Sequence, residues 1–155
     1  MADTNGDGAV LFAYDGSEQA KASIRAAAQQ LNRGRHAIVL TVWQLYEALP
    51  LGAPPPVDLE KDMETEAQRV ANEGAALATS VGFEATPLAQ GGSPVWRTIV
   101  ESANDHDAEI VVMGSHGRTG IALVLMGSVA AAVARHAELP VLIVHPPSDE
   151  RPGAH

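Results

Sequence analysis

The sequence predicts an α/β fold: one domain built on a five-stranded parallel sheet, doubly wound by helices. Three observations predict it. Short apolar runs rich in β-branched residues alternate with amphipathic segments in the order β-α-β-α-β-α-β-α-β. Those runs are apolar on both sides rather than strictly alternating, as strands covered on both faces are. Glycine-rich stretches follow the strand ends, which is where sheets of this class carry their ligands. The 155 residues, 46% of them hydrophobic, suit a single domain with a sizeable core, and aromatics are so few that small aliphatic side chains must fill it.

Met1 to Gly8 read as a polar leader. Its DTNGDG matches the opening of a calcium loop through Asp3, Asn5, Asp7 and Gly8. Such a loop needs a bidentate Glu at its twelfth position, and Tyr14 stands there instead. Ala9 to Tyr14 (AVLFAY) is the first buried strand. Asp15-Gly16-Ser17-Glu18 then turns the chain into a helix, with Ser17 as cap and Glu18 complementing the dipole. The helix places Ala20, Ile24, Ala27, Ala28 and Leu31 on one stripe and stops over Asn32 to Gly34.

His36 to Trp43 (HAIVLTVW) is the second strand, and the proline-rich segment from Gln44 to Val57 cannot continue it. Asp58 to Val81 repeats Met63, Ala67, Val70, Ala71, Gly74, Leu77, Ala78 and Val81 at helical spacing, behind an acidic start that favours the helix dipole. Phe83 to Gln90 is a third strand, and Pro87 within it implies a sheet edge or a bulge. Gly91-Gly92-Ser93-Pro94 leads into a helix with Ser93 as cap, Pro94 at the first helical position, and Trp96, Ile99, Val100 and Ala103 buried.

Ile110 to Met113 is a central strand that delivers Gly114, Gly117 and Gly120. Past a second apolar segment, Gly127 and Ser128 open the last helix, to His136, with Ser128 as its cap. Pro140 to Val144 (PVLIV) is the closing strand. The domain thus runs over 9–145, with a leader at 1–8 and a flexible tail at 146–155.

Composition excludes several classes of function. The net charge of −9, with no block dense in Lys or Arg, argues against nucleic acid and against anionic membrane surfaces. The absence of cysteine removes disulfides and thiolate chemistry. No apolar run reaches the roughly 20 residues of a membrane span, and the first residues lack a signal-peptide layout, so a soluble cytoplasmic protein is expected. His36, His106, His136 and His145 stand singly, outside any metal-binding spacing.

The glycine stretch is the feature that points to a ligand. A strand handing a glycine-rich loop to a helix N-terminus brings backbone amides and a favourable dipole to an anion, phosphate above all. It contains neither G-x-G-x-x-G nor G-x-x-x-x-G-K-[ST]. A G-x-S-x-G elbow is absent, and the neighbours Ser115 and His116 are not expected to pair as nucleophile and base.

Its spacing, Gly114-x2-Gly117-x9-Gly127-Ser128, resembles the nucleotide-binding pattern of the universal stress protein family, in its ATP-binding branch. AYDGSE after the first strand and the closing LPVLIVH support the resemblance, which spans Ala9 to His145. It implies a Rossmann-like fold of the adenine nucleotide alpha hydrolase type and a bound ATP with Mg²⁺. By the same resemblance Ala13, Tyr14 and Asp15 line the nucleoside, with Asp15 near the ribose or a phosphate-bound Mg²⁺, and Val42 offers backbone groups to adenine. Gly114, His116, Gly117 and Arg118 surround the phosphates on one side, and Gly127, Ser128 and Val129 on the other. Where the family often has His in the second strand, this chain has Thr41.

The adenylating H-x-G-H and the amidating S-G-G-x-D-S of related adenine-binding folds are missing after the first strand. Three readings follow. The leading one is a nucleotide-dependent regulatory protein of the stress response. The others are a slow ATPase or phosphotransferase using the same pocket, and a dimerisation or adaptor module without a nucleotide. The apolar edge formed by Val141, Leu142, Ile143 and Val144 suggests a homodimer through the last strand.

Overall fold

Five apolar runs become five parallel strands in a computed structural model that describes residues 8–45, 51–52, 54, 56–117 and 126–146. In chain order the elements are β1 (Ala9–Ala13), α1 (Glu18–Gln30), β2 (His36–Trp43), α2 (Leu59–Ser80), β3 (Glu84–Gly91), α3 (Val95–Asp105), β4 (Ala108–Gly114), α4 (Ser128–His136) and β5 (Val141–Val144). The strands lie in the order β3-β2-β1-β4-β5. From the central β1 the chain winds outward through β2 to β3, then returns to β4 on the other side. The switch in direction therefore falls between β1 and β4, where a crevice opens beyond their carboxyl ends.

β1 is the most buried strand, with Val10, Leu11 and Phe12 all fully inaccessible. Its side chains divide between two cores because successive residues of a strand point to opposite faces. Val10 and Phe12 join Ile24, Val39, Val70 and Val112 beneath α1 and α2, where Phe12 meets Phe83 edge-on at 5.2 Å. Leu11 joins Leu40, Ile99, Val111 and Val133 beneath α3 and α4. Phe12 pairs with Val39 on one side and Val112 on the other, and the register against β4 shifts once, between Ala9 and Val10.

Pro87 lies in the edge strand β3, opposite Val39, as its missing N–H requires. The cap on α1 is also as expected, with Ala20 N donating to Ser17 Oγ at 3.1 Å. Two other caps differ from expectation. α3 begins at Val95, and Pro94 rather than Ser93 is its N-cap. A cap needs extended backbone, and the Pro94 φ of −71° and ψ of 160° is a conformation the proline ring already favours. α4 is capped by Gly127 at φ −68° and ψ 161°, so Ser128 is its first helical residue.

The calcium-like Asp3, Asn5 and Asp7, and the tail beyond Pro146, lie outside the described residues, as does the second apolar segment after the glycine loop. Among the described residues no helix is long and apolar enough to cross a membrane.

Candidate functional site

The carboxyl ends of β1, β2 and β4 open into one cavity of about 1070 Å³. Ala13, Tyr14, Asp15, Val42, Gly114, His116, Gly117, Gly127, Ser128 and Val129 all line it. Arg118, also expected here, lies outside the described residues. Residues expected from four separate segments thus line one cavity: three lie at strand ends, which the parallel sheet puts on the same side, and the fourth opens α4.

Each glycine permits a specific close approach. A Cβ on Gly114 would stand 3.1 Å from Gln19 Cβ and 3.2 Å from its carbonyl oxygen, so β4 can end directly against the start of α1. A Cβ on Gly117 would stand 2.5 Å from Asp15 Oδ2, so the carboxylate lies where a side chain would otherwise be. Gly127 donates its N–H to Ser115 O at 2.6 Å, and a Cβ there would be 3.1 Å from the same oxygen. These contacts bring the β1, β4 and α4 ends within reach of a single small ligand.

The N-terminus of α4 carries no side-chain cap, since Gly127 has none to offer. Helix-start amides without such a partner suit an anion. Asp15 serves a turn as well as the cavity: its Oδ1 accepts from Ser17 N at 2.9 Å. Among the described residues no group of three or more His, Cys, Asp or Glu could hold a metal ion. A magnesium ion here would have to arrive on phosphate oxygens, with Asp15 as a single supporting carboxylate, which is how Mg²⁺ commonly binds.

Tyr14 is pinned at three points. Its N–H donates to Leu40 O at 2.8 Å, its carbonyl accepts from Thr41 Oγ1 at 2.9 Å, and its hydroxyl donates to Glu73 Oε1 at 2.7 Å. Burial, together with that bond to Glu73, pushes the Tyr14 hydroxyl well above its usual range. The same bond, reinforced by Lys21 at 3.6 Å and Arg69 at 3.8 Å, holds the Glu73 carboxyl below its ordinary value. Thr41 therefore has a structural task of its own: it braces the turn out of β1.

Several lining residues carried no signal of a site in the sequence. Asp62, Met63, Glu66, Ala67 and Val70 of α2, with Val95 and Ile99 of α3, form the side walls. Gln19 was hidden in the first turn of α1, yet its Oε1 accepts from His116 N at 3.0 Å and from Ser115 Oγ at 3.4 Å. Ser115, fully buried, is also 3.0 Å from His116 Nδ1. The two neighbours are thus within hydrogen-bond distance, which by itself makes them neither nucleophile nor base. The bend after β4 folds the imidazole back onto the preceding hydroxyl.

A family model, the universal stress protein family, matches residues 8–145. A universal stress protein of Thermus aquaticus, from the QAH/OAS sulfhydrylase 3′ region, is 34% identical over 137 residues, covering 87% of this chain and 96% of that one. Among solved structures, that of the hypothetical protein MJ0577 superposes with a TM-score of 0.72 at 25% identity, covering 89% of this chain and 95% of that one. A universal stress protein solved in complex with cAMP superposes with a TM-score of 0.59 at 25% identity, covering 89% and 96%. The match across the whole described domain, on a sheet with the switch-point cavity just described, leads to one conclusion: this chain belongs to the universal stress protein family.

Proposed function

We propose that the switch-point cavity binds an adenine nucleotide, ATP with Mg²⁺, and that occupancy of the site is the signal this protein delivers in a stress response. The observation that carries the reading is the meeting of Asp15, the Gly114–Gly117 corner and the uncapped start of α4 around one cavity. The related protein solved with cAMP supports a nucleotide as the ligand class. In this reading Val42 and the apolar walls of α2 and α3 receive the adenine. Ala13, Tyr14 and Asp15 line the nucleoside, and Asp15 also faces the metal. Gly114, His116, Gly117 and Arg118 hold the phosphates from one side, and Gly127, Ser128 and Val129 from the other. The domain is 9–145, and a dimer forms through β5 in the cytoplasm.

Turnover is expected to be slow. Phosphoryl transfer to water needs a positioned nucleophile as well as neutralised charge. The corner supplies amides and one carboxylate, which suffice to hold a triphosphate. A steady-state rate near or above about 1 s⁻¹, the lower end of ordinary enzymes, would favour the ATPase reading instead.

Calorimetry with Mg-ATP, AMP and cAMP tests the assignment. Wild type should bind at least one of them, and Gly127→Leu, whose side chain meets the Ser115 carbonyl, should not. Asp15→Ala, a gentler change, should selectively weaken the Mg²⁺-bound form. Equal affinity in all three proteins would remove this cavity as the nucleotide site.

A further inference from the structure

This chain has no cysteine, so its oxidisable sulfur is all in the thioethers of four methionines. Met1 lies outside the described residues, and the other three gather around the cavity. Met63 and Met113 line it, while Met126 directly precedes the α4 cap and packs on the core beneath α3 and α4. Their shelter differs. Met113, in β4, is only 6% exposed, whereas Met63, in α2, is partly exposed. Met63 is the outermost member of an apolar stripe on α2. Ala67 and Val70, one and two turns further along, are buried, and all three residues line the cavity. Methionine often fills irregular walls. Met63 is distinctive in combining a place in the wall with exposure to solvent.

We propose that Met63 is an oxidative modification site: a hydroperoxide transfers one oxygen to its sulfur, and the resulting sulfoxide lowers the affinity of the cavity for nucleotide. In this step a sulfur lone pair attacks one peroxide oxygen. An S–O bond forms, the O–O bond breaks, and the other oxygen leaves as water or an alcohol, taking the proton of the transferred oxygen. Sulfur is oxidised by two electrons and the peroxide is reduced by two. Asp62 and Glu66 line the same wall, and Glu60 and Glu64 lie in the same acidic start of α2. Negative charge there disfavours anionic oxidants and leaves an uncharged hydroperoxide as the suitable class.

The oxidation converts an apolar, flexible side chain into a polar one. A base seated on this wall would cover the new oxygen without offering its face as a donor, and burying a polar group unpaired is costly. The converse also holds: a bound base covers the sulfur and slows its oxidation. Sulfoxide reductases, one for each epimer, reverse the change. The modification deepens the nucleotide reading and rests on it for the identity of the ligand.

Pulses of hydrogen peroxide on the native protein, followed by peptide mass spectrometry, test the site. Met63 should gain oxygen faster than Met113. Saturating Mg-ATP should slow Met63 but not Met126, which is not part of the lining. Calorimetry tests the consequence. The Mg-ATP affinity of wild type should fall by about tenfold once Met63 is oxidised and return after treatment with the reductases. Met63→Leu should show the same affinity before and after the same dose of peroxide. Met63→Gln, polar without any oxidant, should be weakened as oxidised wild type is. Oxidation of Met63 no faster than that of Met113 overturns the proposal. So does an affinity unmoved by oxidation of Met63, or an equal loss in treated Met63→Leu. If Met63→Leu does not fold, recovery of wild type by the reductases decides. If untreated wild type binds no nucleotide, the nucleotide reading fails, while the order of Met63 and Met113 still judges the modification site.

Discussion

Tyr14 shows how one side chain can serve fold and site together. It follows β1, its ring packs beside Gly74 of α2, and its hydroxyl is tied to Glu73 on the same helix. The backbone of the turn that presents Asp15 is thereby anchored to α2. Tyr14→Phe deletes the bond to Glu73 while keeping the ring. The expected loss of stability is about 0.5–1.5 kcal/mol, toward the lower end because the Glu73 side chain is 44% exposed and solvent screens it. The pH dependence has a definite sign. Glu73 titrates lower in the folded chain, so its contribution is present above the unfolded value of about 4.3 and fades as pH falls through the folded one. Tyr14 titrates higher when folded, so its contribution is present below about pH 10 and fades as pH rises further. Urea titrations of wild type and Tyr14→Phe should differ by a constant amount between about pH 6 and 9, and the difference should shrink on both sides. A difference that grows in acid would contradict this account.

At the scale of elements, helix periodicity and tertiary packing can pull in opposite directions. Gly74 sits in the middle of α2, where alanine would be favoured by about 1 kcal/mol on propensity alone. A Cβ there, however, would stand 2.7 Å from the Tyr14 ring and 2.7 Å from Val39 Cγ1. Overpacking of a tight core costs about 1–3 kcal/mol, so packing should win and Gly74→Ala should be destabilised in urea denaturation. A gain of stability would show that α2 can shift freely on the sheet. The element types were legible because period and composition carry them: β2 and α4 span the expected residues, and Pro87 placed β3 at the edge. Caps were less legible. A cap depends on extended backbone at one residue, and Gly127 and Pro94 supply it without the side chain that a sequence reader looks for. The glycines of the site were visible through their spacing. Gln19 was not, because nothing local marks a helix residue whose partner lies almost a hundred positions away.

At the scale of the whole molecule, the sheet of the described residues has two edges, β3 and β5, and they are unlike. β3 is blunted by Pro87 and carries Glu84, Thr86 and Gln90 among its apolar residues. β5 reads Val141, Leu142, Ile143 and Val144, all partly exposed, and its described pairing is with β4 alone. An apolar edge without charge or proline is a template for another strand, and the simplest partner is a second copy across a two-fold axis. A homodimer through β5 is therefore the expected state in solution. Ile143→Lys would test it but also strikes the core beneath α3 and α4, where Ile143 packs. Val144→Lys, outside both core clusters, is the cleaner variant and should convert dimer to monomer in light scattering with its melting curve little changed. The same residue ties assembly to the site, because Val144 O accepts from Ser115 N at 3.0 Å, directly behind the Gln19–His116 corner. If nucleotide tightens that corner, it should also tighten the dimer, and dimerisation should raise nucleotide affinity by the same factor, as linkage requires. Sedimentation of wild type with and without Mg-ATP measures one side of that equality, and calorimetry across a protein dilution series measures the other. A wild type already monomeric at micromolar concentration would remove the dimer from the account. A factor of one on both sides would show that edge and corner are not coupled through this bond.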